Sequence, residues 1–109
     1  MNFETIMDIL SQGEMVYRSA WEPDSFIFLQ VPSQISAVII PNMTSLPQQV
    51  KNEFIRRFND TETFQIDAIY YKDQIAKVNN SNMITGWSPL VEDIYATDWH
   101  VYNFVDEDE

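Results

Sequence analysis

The sequence contains no cysteine, one histidine (His100), two glycines and five prolines. Without cysteine there is no disulfide framework, thiolate zinc site or cysteine nucleophile, and the absence fits a reducing compartment; a cytoplasmic location is expected. Glycine only at positions 13 and 86 leaves neither a GxGxxG nor a GxxxxGKS/T phosphate loop. A lone histidine with no second ligand at metal spacing nominates neither a metal site nor a nucleophile–base–orienter triad. No apolar run approaches the ~20 residues needed to cross a bilayer. The opening Met1-Asn2-Phe3-Glu4 is acidic where a secretory signal would be basic, so a soluble, unprocessed protein is expected. Basic residues are scarce as well: six Lys and Arg face 17 Asp and Glu, a net charge of −11. Such a field repels phosphate backbones, so DNA, RNA and anionic membranes are not expected partners, and an anionic ligand would need local donors. Carboxylate neighbours such as Glu92 and Asp93 carry no spacing that separates general acid from surface charge. No catalytic residue, metal or cofactor is nominated, and the chain is expected not to be an enzyme.

What is present is a core's worth of apolar side chains. The chain has 109 residues, 45% hydrophobic and 14% aromatic, which predicts one compact core. Asn2 can cap a helix whose apolar face is Phe3, Ile6, Met7 and Leu10, ending at Gly13. Met15–Trp21 and Ser25–Val31 read as extended segments joined by the turn Glu22-Pro23-Asp24. Ile35–Ile40 reads as a third, well-buried strand ending at Pro41-Asn42. A second helix around residues 46–58 is predicted from Ser45 as cap, Pro47 in the first turn and a Val50, Phe54, Phe58 stripe. Lys51, Arg56 and Arg57 decorate that helix, either as favourable charges near its C-terminal end or as an anion-binding patch. Phe64–Tyr71 alternates with period two, and Ile75–Val78 after Lys72-Asp73-Gln74 reads as its antiparallel partner. Gly86-Trp87-Ser88-Pro89 is a loop, residues 90–96 one or two helical turns, and Trp99–Val105 a last strand, with His100 in a cross-strand or surface role. The expected class is α+β, a mostly antiparallel sheet with two helices.

The tryptophans point furthest toward function. Trp21 and Trp87 each stand beside a turn proline, Pro23 and Pro89, where backbone breaks and not strand alternation place the ring. Loop-borne tryptophans suggest a binding surface, and stacking on a nucleobase, at roughly 1–3 kcal/mol, is indifferent to net charge. The alternative is that both rings close the core against a helix, the role expected of Trp99.

The segments from Met1 through Gly13 to Val16-Tyr17-Arg18-Ser19-Ala20-Trp21, and Gly86-Trp87-Ser88-Pro89, Asp93 and Ala96-Thr97-Asp98-Trp99, resemble the Thoeris anti-defence family of small phage and prophage proteins, of the second, tetrameric type. Between them, residues 42–51 look like the helical insert of longer members, so the similarity spans most of residues 1–104. The resemblance implies a single domain over residues 1–105, followed by an acidic tail, 106–109. It also implies a non-enzymatic sponge. A homo-oligomer, dimer or tetramer, would bind a cyclic nucleotide-derived signal of the cyclic ADP-ribose type, in the host cytoplasm if phage-encoded. The matching ligand positions are Trp21 and Trp87, with Asp93 as a polar contact or loop-fixing group. Apart from the resemblance, Arg18 is a further candidate ligand contact, and Arg18, Arg56 and Arg57 either reach a phosphate or are only solvated. Two departures stand out: Leu90 and Val91 follow the proline where serine and glutamine are usual, and Glu22-Pro23-Asp24 follows Trp21 where glycine and asparagine are common. The competing reading is an acidic interaction module or DNA mimic that inhibits a host protein, resting on charge and small size. A hydrolase of nucleotide signals lacks a metal or base constellation.

Overall fold

The computed structural model describes residues 1–103. In chain order the elements are α1 (Phe3–Ser11), β1 (Val16–Arg18), β2 (Phe26–Gln30), β3 (Ser33–Ser36), a 3-10 helix (Ala37–Asn42), α2 (Gln48–Asn59), β4 (Ala68–Tyr71), β5 (Gln74–Val78), β6 (Ile84–Gly86), α3 (Val91–Tyr95) and β7 (Trp99–Val101). The class is α+β with antiparallel pairing throughout, as the alternation and helix signals predict. The chain divides into two compact units: Met1–Val31 together with the chain from Asp73 onward, and Pro32–Lys72. The second unit is inserted in sequence between β2 and β5.

In the first unit the five strands run in the order β6-β5-β2-β1-β7. Helix α1 starts where it should: Asn2 Oδ1 accepts the Thr5 N–H at 2.8 Å, satisfying one of the helix's orphan donors. It ends at Gly13, whose φ of +87° is a left-handed conformation costly to any side chain with a Cβ. Its Ile6 and Leu10 join Val16, Ile27 and Trp99 in a fully buried cluster. Because strand side chains alternate, the register Val16↔Ile27 and Ile27↔Lys77 places Val16, Ile27 and Lys77 on the core face of the sheet. The opposite face carries an aromatic row. Tyr17 stands 5.5 Å from its cross-strand partner His100 and 5.8 Å from Tyr102, and Tyr102 lies 4.9 Å from Phe26. His100 therefore has the cross-strand role expected of it. The strand predicted over Met15–Trp21 is cut to three residues, because an Arg18–Trp21 turn closes with Trp21 N–H donating to the Arg18 carbonyl at 3.0 Å. The last strand covers Trp99–Val101; Phe104, Val105 and the acidic tail 106–109 lie outside the described residues.

The second unit pairs β3 with β4 in the register Ile35↔Ile69 and adds α2. Four expectations fail here. Ile35–Ile40 is not one strand: β3 ends at Ser36, where its four-residue partner β4 also ends, and the chain turns into a 3-10 helix. Of the β-branched run only Ile40 is buried, while Val38 is 79% and Ile39 50% exposed, so tertiary context overrides β propensity. Strand β4 does not pair with β5. It pairs with β3, and β5 takes β2 over five residues and β6 on its other edge. Residues 64–67 are not strand either; Phe64 N–H bonds the Asp60 carbonyl at 2.8 Å in the turn leaving α2. Helix α2 begins one residue after Pro47, which occupies the cap position itself, and no side chain caps it, so Ser45 is not the cap. No helix among the described residues is long and apolar enough to cross a membrane.

Candidate functional site

The three indoles meet in the first unit. Trp99, fully buried, forms the floor. Trp21 stands on it with ring centroids 5.3 Å apart at 83°, and Trp87 with centroids 6.2 Å apart at 90°. Trp21 and Trp87 are 6.1 Å from each other at 68°. All three contacts are edge-to-face, the arrangement that the ring quadrupole favours. Trp99 Nε1 donates to the Asp93 carbonyl at 3.1 Å, which satisfies its buried N–H. Trp21 and Trp87 pack on this core yet stay only partly buried. Each ring therefore packs on the core and is also partly exposed.

Backbone breaks place both. Trp21 follows the turn that ends β1, and the loop beyond it closes at Asp24, whose φ of +66° is a conformation that aspartate tolerates better than most residues with a side chain. Trp87 directly follows β6 and is held by its N–H donating to the Ile75 carbonyl at 2.9 Å.

Beside Trp21 opens a cleft of about 490 Å³, lined by Tyr17, Arg18, Trp21, Asp24, Tyr102 and neighbours. Trp87 and Asp93 do not line it. Arg18 does, but its charge is spent inside the fold: Nη1 meets Asp93 Oδ1 and Nε meets Asp98 Oδ1, both at 2.9 Å. The hydrogen bond that Arg18 donates to Asp98 is the main cause raising the guanidinium above its ordinary range. Conversely, the Arg18 hydrogen bond, then the N–H of Ala20 and the hydroxyl of Ser19, hold the Asp98 carboxyl below its usual 3.8. Asp93, 4% exposed, also accepts the Leu90 N–H at 2.8 Å on its other oxygen and so pins the start of α3. Of the two roles the resemblance offered for Asp93, this is the geometry of a loop-fixing group.

Arg56 and Arg57, in the second unit, both clasp Glu53 at 2.8 Å and lie 5.8 and 5.5 Å from the centre of the Phe64 ring. The Glu53 carboxyl falls to about 2, chiefly through its hydrogen bond to Arg56 and then to Arg57. Among the described residues no group of three or more His, Asp or Glu side chains is placed to hold a metal ion.

Sequence reading missed three contributors. Tyr17 and Tyr102 line the cleft together, although they are 85 positions apart in sequence. Lys77 places its Nζ 4.1 Å from the centre of the Trp21 ring, a cation–π contact. A signal for Lys77 existed: it interrupts the inward positions of a strand whose other inward residue, Ile75, is apolar.

Fold and site together define the class as a small α+β domain that offers an aromatic-walled cleft beside a tryptophan cluster. Residues 1–102 match the Tad2-like family, the Thoeris anti-defense 2-like domain, and the chain belongs to that family, as its terminal motifs imply. The match extends through both compact units, and membership supports an anti-defence role against Thoeris. No curated protein matches the chain.

Proposed function

We propose that the protein binds and withholds a small cyclic nucleotide-derived signal of the cyclic ADP-ribose type, breaking no bond in it, and that it does so as a homo-oligomer in the cytoplasm. Trp21 carries the reading. In a domain of the Thoeris anti-defense 2-like family, it is a partly buried indole at the wall of a cleft of about 490 Å³, a volume suited to a small molecule. Trp87 stands next to it and supplies a second flat surface. Affinity then comes from stacking and exclusion of water, terms that net charge does not oppose.

Isothermal titration with cyclic ADP-ribose isomers and cyclic dinucleotides tests the proposal. Saturable heat with at least one, and recovery of that ligand chemically intact after denaturing the complex, is the expected result; no heat with any of them overturns it. Trp87→Ala should weaken binding by about 1–3 kcal/mol while the protein stays folded. Binding governed instead by surface carboxylates of a macromolecular inhibitor would collapse steeply with added salt.

A further inference from the structure

We propose that Lys77 is the residue that holds the anionic group of the ligand, presenting its ammonium from the face of Trp21, so that one indole–ammonium pair receives a phosphate-bearing heterocycle. The inference rests on the sponge reading and assigns a residue to it that the family motifs do not mark.

The first unit, which holds all three tryptophans, contains just two basic residues in the sequence, Arg18 and Lys77. Arg18 sits between Asp93 and Asp98, and the three groups together carry a net charge of −1, so a phosphate approaching Arg18 also meets two carboxylates. The N-terminal ammonium donates to the carbonyls of Thr97 and Trp99, at 3.2 and 3.3 Å. Lys77 forms no ion pair among the described residues. It lies opposite the fully buried Ile27, on the core face of β5, and is itself half-buried. Among the described residues its side-chain partner is the Trp21 face, at 4.1 Å, so it reaches the cleft through that ring and is not itself part of the lining. A ring can stabilise a cation without neutralising it, so the ammonium keeps its full charge and its donors for an incoming anion. In a chain of net charge −11, a pyrophosphate needs such a local cation, because the long-range field opposes its approach.

The test compares the wild type with Lys77→Met, which keeps the aliphatic stem over the indole, and Lys77→Arg, titrating each with cyclic ADP-ribose over a series of salt concentrations. The expected result is an affinity about 10- to 100-fold lower for Lys77→Met, a shallower dependence of Kd on salt, and recovery of both in Lys77→Arg. An unchanged Kd in Lys77→Met overturns the assignment and leaves the sponge reading standing. Weaker binding with the same salt dependence also overturns it, showing that the lysine only positions Trp21; near-ultraviolet circular dichroism then reports the displaced indole. No binding of cyclic ADP-ribose or of any other cyclic nucleotide by the wild type overturns the sponge reading itself, and this assignment with it.

Discussion

At the scale of single residues, the site is held by an ion-pair network that brings distant positions together. Arg18 reaches Asp93 and Asp98 across 75 and 80 positions of sequence. Asp98 adds bonds from Ser19 Oγ and the Ala20 N–H, both at 3.1 Å, so it ties the turn before Trp21 to the segment before Trp99. Its native carboxyl lies below the ordinary 3.8, mainly through Arg18, so the folded state favours the ionised form. The stabilisation is therefore complete above the unfolded value and is lost as pH falls through the lower native value. We expect Asp98→Asn to lower stability by about 1 kcal/mol near neutral pH, a Tm shift of roughly 4–8 °C, as suits a pair only partly screened from solvent. The gap between thermal melts of the two proteins from pH 6 to pH 2 should begin to narrow below about pH 4 and close only below the native value; a constant gap would show that the bond, not the charge, is what matters. None of this was legible in the sequence. Nothing in the spacing of Arg18, Asp93 and Asp98 shows that they meet, although Arg18 and Asp93 stand out as site candidates, whereas Asn2, Gly13 and the tryptophans beside prolines act through their immediate neighbours and can be read directly.

At the scale of elements, the same division between local and tertiary causes decides which predictions hold. Helix α1 is written locally at both ends, by Asn2 bonding the Thr5 N–H at 2.8 Å and by Gly13 at φ +87°. Nothing lies within 4 Å of where a Cβ on Gly13 would sit, so a substitution there meets no steric wall and its cost is backbone strain alone. Gly13→Ala should cost about 1–2 kcal/mol and Asn2→Ala about 1 kcal/mol, and urea titrations of the pair should show the two losses adding, because the sites are far apart along the helix. A Gly13→Ala protein as stable as the wild type would mean that the helix end relaxes into another conformation. The run Ile35–Ile40 has strand propensity and no strand partner past Ser36, and the second helix is anchored by no side-chain cap. There propensity lost to what the neighbouring segments had to offer. Alternation over residues 64–71 likewise described only its last four residues correctly, because Asp60 captures the Phe64 N–H first.

At the scale of the whole molecule, charge and chemistry are segregated by unit. Pro32–Lys72 carries Lys51, Arg56, Arg57 and Lys72 against Glu53, Asp60, Glu62 and Asp67, so it is neutral, and the entire −11 belongs to the unit that holds Trp21, Trp87 and Trp99. Composition summed over the chain hides this. The register also shows how the insertion is attached: Gln30 pairs with Gln74 at the ends of β2 and β5, so Val31 and Asp73 leave the sheet side by side. Replacing Pro32–Lys72 by Asn-Gly would join them as a two-residue hairpin, the connection whose twist suits antiparallel strands. The buried cluster of Ile6, Leu10, Val16, Ile27 and Trp99 draws no member from the deleted segment. The shortened protein is therefore expected to fold, with the near-ultraviolet signal of its tryptophan cluster retained and cooperative thermal unfolding. Loss of that signal would show that the neutral unit is needed for the tryptophan core to form. If the shortened protein folds, titration with cyclic ADP-ribose separates the two units' contributions, since an affinity equal to that of the full chain would place every ligand contact that matters on the acidic unit.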